Sequence, residues 1–514
     1  MGRSASLSSR TIIACSLCVI LAMALGCAAK KLSVELMPTP IALTLDIPHP
    51  GGDFIAGCDC ADDAIPVYVM SGRNLEDPNR TPDPFGKERS NTPTLGVAYV
   101  TVGANLTPQE LHEETTSAKK RKRARVVFDR IELSQAPLEL DPWRVKDNAV
   151  RFQENPWVQA INAQLDRSGG RNVTIFVHGY NTEFIDNTLI AGEIFHYIGR
   201  KGAMISFEWP SESRLLGYIA DKGNAAFSTR HFRALISNIA KECNVDSITI
   251  IAHSAGSPIV VNALRELRLL EFDLPKDQLQ EKYSIGRVVL AAPDMDLMAF
   301  TNAVQDRFFE MTNGVAVYAS PKDRALGLSE KLYNSSRLGR AVGKIEPWER
   351  GLLQLVPQIE MVDASVAEKE FGSVLGHSYF FRDPWVSSDI GSFILGRSPA
   401  ERGLVKKQGD QVFWEFPTDY PEQLQKRFGR NRASNQLISG DCECDYILPA
   451  QNGPELQHSS EVLTEQFGQP YQPYELGPVG QEVQTLSPQA FPGGGDYPWS
   501  PIELNEAPRG KGAR

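Results

Sequence analysis

Residues 248–256 read Ile-Thr-Ile-Ile-Ala-His-Ser-Ala-Gly, a β-branched apolar run that ends in a small-x-Ser-x-Gly pentad. Few patterns restrict a backbone as tightly. A buried strand must turn at once into a helix, with Ser254 at the apex in a strained conformation that projects its Oγ clear of the sheet. Ala252 and Gly256, two positions either side, must stay small for strand and helix to pass closely. The expected helix follows, with Ile259, Val260, Ala263, Leu264 and Leu267 spaced for one buried face.

The surrounding pattern asks for the same architecture. From about residue 170, apolar strands alternate with helical stretches: strands at 173–177, 203–207, 287–292 and 315–319, helices at 182–200, 228–242 and 298–311. Such interleaving predicts an α/β fold, a mostly parallel sheet with helices on both faces and all strand C-termini along one edge. Three further strands are expected upstream, at 65–70, 95–102 and 124–133. The predicted organisation is a signal peptide (1–26), a lipidated tether (27–62), an N-terminal β-rich extension (63–166) and a catalytic core (167–395). A C-terminal extension (396–445) and a disordered Pro/Gln-rich tail (446–514) follow.

The first residues encode an address. Arg3 and Arg10 precede an apolar stretch, Thr11–Leu25, and then Gly26-Cys27, the layout of a secretory signal. The small residues before Cys27 resemble the lipobox of bacterial lipoproteins, which implies an exported protein held at the cell envelope by acyl chains on Cys27. In an exported chain the pairs Cys58/Cys60 and Cys442/Cys444 are disulfide candidates, joined to each other; a four-thiolate zinc site is the alternative. A formal charge of −10 on 514 residues argues against nucleic acid as a partner.

A reactive serine needs a base, and the base needs an orienting acid. Of eight histidines, His49, His112 and His458 fall in the tether, the N-terminal region or the tail. His196 and His231 fall within helices, His178 follows the first buried strand, and His253 reads as a packing residue pointing away across the turn. His377, late in the chain, fits the order Ser, Asp/Glu, His found in strand–turn–helix hydrolases. The acid is Asp323, after the second strand beyond that of the nucleophile, with Asp294 as the alternative. Oxyanion donors are expected from the backbone N–H of Ala255 and of Tyr180, on the loop after strand 173–177. No metal or organic cofactor is needed. Trp209, Tyr218 and Phe227 are candidates for an acyl pocket and equally for core packing.

Phe176-Val177-His178-Gly179-Tyr180-Asn181-Thr182, Phe207-Glu208-Trp209-Pro210-Ser211 and Gly217-Tyr218 with Asp221 come in fixed order with Ala252-His253-Ser254-Ala255-Gly256, Leu290-Ala291-Ala292-Pro293-Asp294 and Gly376-His377-Ser378-Tyr379. Together they resemble bacterial α/β-hydrolases known as a domain-of-unknown-function family, predicted esterase/lipase-superfamily lipoproteins. The resemblance spans roughly 65–395. It implies an α/β-hydrolase fold and a serine hydrolase of carboxylesterase/lipase-like kind, with Ser254, His377 and Asp323 as triad. The expected substrate is a small-molecule or lipid ester. The same triad would also serve a peptidase, thioesterase or acyltransferase. A non-catalytic, membrane-tethered interaction protein, recruiting a partner through its tail, is the contrasting expectation.

Overall fold

The computed structural model describes residues 32–50, 64–117, 124–134, 155–212, 218–365 and 377–428. The signal peptide, Cys27, Cys58, Cys60, Cys442, Cys444 and the tail lie outside the described residues. Twelve strands form one sheet in the order β1-β4-β3-β2-β6-β5-β7-β8-β9-β10-β12-β11. They are β1 (Ser33–Glu35), β2 (Ile65–Leu75), β3 (Phe85–Val102), β4 (Arg125–Leu133), β5 (Asn172–Val177) and β6 (Ala203–Glu208), then β7 (Ser247–His253), β8 (Ile285–Ala291), β9 (Gly314–Ala319), β10 (Ile359–Asp363), β11 (Val405–Lys406) and β12 (Phe413–Glu415). From β2 through β12 in that order the pairing is parallel; the β1–β4–β3–β2 edge and the β12–β11 edge are antiparallel. This is an α/β-hydrolase fold.

Both faces of the parallel strands are apolar because both are covered. Val173, Ile175 and Val177 of β5 with Ile248, Ile250 and Ala252 of β7 belong to one core, and the intervening Phe176 and Ile251 to the other. The first core is closed by helices α1 (Pro156–Ser168), α2 (Tyr218–Glu242) and α3 (Ser257–Leu270), through residues such as Trp157, Phe232 and Leu264. The second takes Phe184, Leu189 and Phe195 from the helix Phe184–Tyr197, and Val386 and Phe393 from the helix Pro384–Ile394. The stripe expected at 259–267 is buried as its 3.6-residue period requires.

One expectation about the chain's organisation needs correction. The tether read into 27–62 does not hold for its described part. Residues 33–35 pair with β4 as an edge strand, and Leu36, Met37, Ala42, Leu43 and Ile47 are buried. The Met37 N–H donates to Glu193 Oε1 at 3.0 Å, and the Tyr197 hydroxyl donates to the Met37 carbonyl at 3.0 Å. Prolines and scarce periodicity suggested a linker, yet scattered apolar residues suffice when a finished surface awaits them. The N-terminal extension contributes β2–β4 to the same sheet, and the helix Pro156–Ser168 begins within it. The C-terminal extension likewise adds β11 and β12 to the sheet and closes with the helix Tyr420–Phe428.

Among the described residues no helix is long and apolar enough to cross a membrane.

Candidate active site

The strand order reverses between β5 and β7, since the chain steps from β5 outward to β6 and then returns to β7 on the other side. The loops leaving the C-terminal ends of two such strands diverge, and a crevice opens there. Ser254 sits at that point, directly after β7. Its φ of +50° lies in the left-handed region, a conformation that costs a non-glycine residue ~1–3 kcal/mol and persists only where neighbours enforce it. They do so here. Ser254 is 3% exposed, and its carbonyl accepts from the Asp294 N–H at 3.0 Å. One tight turn, 254–256, leads into α3, which has Pro258 in its first turn.

Asp323 follows β9 and is fully buried. One carboxylate oxygen caps the helix Arg324–Tyr333 by accepting from Leu326 N–H at 2.9 Å. The other, Oδ2, lies 2.6 Å from His377 Nδ1, and His377 Nε2 lies 2.7 Å from Ser254 Oγ. With a carboxylate on one side of the ring, Nδ1 carries the proton and donates, leaving Nε2 to accept the serine hydroxyl. The structure therefore brings the three expected residues together. It places the alternative acid, Asp294, elsewhere: its Oδ1 accepts from Ser329 Oγ at 2.7 Å and pairs with Arg337 at 3.3 Å. Burial raises the Asp294 carboxyl above its usual range.

Aromatic packing after His377 helps to fix it. The Tyr379 hydroxyl donates to the Tyr318 carbonyl at 2.9 Å, and Phe380 packs on Phe176, ring centres 6.3 Å apart. His253 requires a correction. Its ring does not point away: it lies 4.9 Å from the His377 ring and 4.6 Å from Phe380. Burial and the neighbouring His377 imidazole hold it well below the ordinary histidine value, so it is neutral. Its Nε2 lies 3.2 Å from the His377 carbonyl, to which the N–H donates. His253 thus steadies the backbone of His377. A histidine before a serine carries no such signal in sequence, since its partner is 124 residues away.

The loop after β5 approaches Ser254 as its glycine allows. A Cβ on Gly179 would sit 3.0 Å from Ser254 Cβ and 2.8 Å from His253 Nδ1. Tyr180 follows on this loop, half-buried, and Ala255 follows the serine. His178 is 1% exposed and lies under Trp209, rings stacked 5.1 Å apart. Its Nδ1–H donates to the Gly179 carbonyl at 2.8 Å, and its Nε2 accepts the Trp209 backbone N–H at 3.2 Å. Trp209 is fully buried and its indole N–H donates to the His178 carbonyl at 2.8 Å. It belongs to this packing and lines no acyl pocket. Phe227 packs its edge on His231 at 4.9 Å, and the Tyr218 side chain lies outside the described residues.

Burial, with Arg73 nearby, drives His178 down to about 3. The native ring is then neutral where the unfolded chain's imidazole, near 6.5, takes up a proton. This contribution to stability is intact above about pH 6.5 and is lost as pH falls toward 3, at about 3 kcal/mol by pH 4. NMR of the histidine rings should show His178 in its neutral form at pH 5 in the folded protein; a protonated ring there would refute the assignment.

Fold and site define an α/β-hydrolase. Residues 153–395 match the model of a family described as alpha/beta hydrolase of unknown function (DUF900). No curated protein matches the chain. Solved structures similar to it include esterase B of Lactobacillus rhamnosis. A tributyrin phosphonate-inhibited form is 14% identical, with a TM-score of 0.26, over 44% of this chain and 74% of that one. The structure from strain HN001 is 15% identical, with a TM-score of 0.25, over 44% and 75%.

Proposed function

We propose that this chain is a serine hydrolase that cleaves carboxylic esters through an acyl-enzyme, anchored at the cell envelope by lipid on Cys27. The observation that carries the reading is the unbroken chain from Asp323 through His377 to a Ser254 held in left-handed backbone. A buried serine whose hydroxyl served only packing would need neither the strain nor an imidazole aligned by a carboxylate.

Ser254 Oγ attacks the ester carbonyl carbon while its proton passes to His377 Nε2. Asp323 keeps the ring in the required tautomer and stabilises the imidazolium. The carbonyl π electrons move onto oxygen, and the backbone N–H groups of Ala255 and Tyr180 receive that charge. Collapse expels the alcohol, which takes its proton from His377. Water then gives a proton to His377 and adds to the acyl-enzyme; the carboxylic acid departs and Ser254 recovers its hydrogen.

The test uses full-length protein in detergent, a fluorophosphonate probe, and p-nitrophenyl esters of graded acyl length beside matched thioester and amide. Wild type should label and prefer the oxygen esters. Ser254→Ala should lose labelling and ~10⁶-fold in kcat. Folded wild type that neither labels nor hydrolyses any ester, or labelling that survives Ser254→Ala, would end the proposal. Preference for thioester or amide would move it to another reaction of the same triad.

A further inference from the structure

Arg73 is a cation that no step of hydrolysis uses, and yet it is 4% exposed. It leaves β2 two residues beyond Ser71, which pairs with Glu208 at the end of β6. This places the guanidinium where the loops after β5 and β6 diverge. Its Nη2 donates to the Thr182 carbonyl at 2.8 Å, and its Nη1 to the Ser211 carbonyl at 3.2 Å. Thr182 stands two residues after Tyr180; Ser211 belongs to the loop after Trp209. One planar fork therefore ties the two loops together.

A second tie lies beside it. The Asn181 N–H donates to Ser211 Oγ at 2.9 Å, and the Ser211 hydroxyl donates to Asp221 Oδ2 at 3.2 Å. Asn181 itself is left-handed, φ +55°, so the loop turns sharply just past Tyr180 and these bonds hold the turn. The counter-charge is Glu208, fully buried, with Oε2 3.9 Å from Arg73 Nε. Its Oε1 accepts from Asn187 at 2.5 Å and Ser206 at 2.8 Å. Burial pushes Glu208 up to about 7 although Arg73 pulls it down, so the pair is charged at pH 8.

A buried pair of this kind contributes little stability compared with apolar side chains of the same volume. What an arginine supplies, and an apolar side chain does not, is fixed direction: two N–H groups in a rigid plane. We propose that Arg73, with Glu208 as its counter-ion, is a positioning residue that clamps the 178–182 loop to the 209–212 loop and so fixes the Tyr180 N–H against the carbonyl attacked by Ser254. The inference deepens the serine-hydrolase reading and rests on it.

A donor that serves only the oxyanion acts on the transition state, so its displacement lowers kcat at constant KM. The experiment compares full-length wild type, Arg73→Lys and Ser211→Ala at pH 8 in detergent. It measures kcat and KM on a short-chain p-nitrophenyl ester, inhibition by a trifluoromethyl ketone transition-state analogue, and thermal melting. Arg73→Lys keeps the charge but cannot hold both carbonyls in one plane. It should lose about 100-fold in kcat with KM nearly constant, and bind the ketone more weakly by a similar factor. Ser211→Ala, the milder change, should lose about tenfold in the same pattern. A purely structural role would lower the melting temperature without moving kcat or ketone affinity. Either folded variant with wild-type kcat, or with a change confined to KM, overturns the inference; should Arg73→Lys not fold, Ser211→Ala decides alone. A wild type with no turnover and no labelling instead sinks the hydrolase reading itself.

Discussion

Asp323→Asn is expected to lower kcat for ester hydrolysis ~10⁴-fold, whereas Asp294→Asn should stay within about tenfold of wild type and lose stability instead. The two substitutions remove the same charge from carboxylates on neighbouring strand ends. Asp323 Oδ2 lies 2.6 Å from His377 Nδ1, and Asp294 bonds Ser329 and pairs with Arg337. Asparagine at 323 can still cap the helix Arg324–Tyr333, since its side-chain oxygen can accept from Leu326 N–H. The fold is kept, and the imidazole is left facing an amide that stabilises the wrong tautomer. Asparagine at 294 instead strips Arg337, which is 1% exposed, of its carboxylate, at about 3 kcal/mol for a buried charge left without its partner. Steady-state kinetics and urea unfolding on both variants decide the matter. The reverse result would transfer the orienting role to Asp294.

Gly256→Ala is expected to cost about 3 kcal/mol in unfolding free energy and roughly 100-fold in kcat. The added methyl would fall on the His178 carbonyl oxygen and lie 2.9 Å from both the oxygen and Cγ1 of Val177. These neighbours are mainly backbone, so relief requires β5 and the serine turn to separate. That motion would carry Ser254 away from the loop bearing Tyr180. Gly351→Ala is the matching control, because no atom lies within 4 Å of its Cβ position in the helix Pro347–Gln354. There alanine should be neutral or stabilising by up to ~1 kcal/mol. Equal stability of the two variants, measured by denaturant unfolding, would show that the close approach at 256 is not enforced.

Much of this was legible because the central strands are covered on both faces. Continuous runs such as Ile248–Ala252 and Val288–Ala291 announce themselves, and the parallel sheet follows from their alternation with helices. The order of Ser254, Asp323 and His377 could be read for a related reason: each hangs on a strand end or late loop whose rank in the chain is apparent. Short peripheral strands were illegible. Val405–Lys406 and Phe413–Glu415 take two and three residues, too few for any period to emerge. The role of His253 was equally hidden, since it depends on where a distant loop comes to rest. The same holds for Arg73, which reads as an ordinary charge near a strand terminus until two carbonyls from separate loops are seen to share it.

Folding of residues 32–50 onto the hydrolase shortens whatever lies between Cys27 and the sheet. Five residue steps separate Cys27 from Leu32, and a fully stretched chain of that length reaches only about 17 Å. An enzyme acylated at that cysteine would ride low against its bilayer, with little freedom to tumble. Molecules lying in the headgroup layer would then meet it far more often than those dissolved a protein's diameter away.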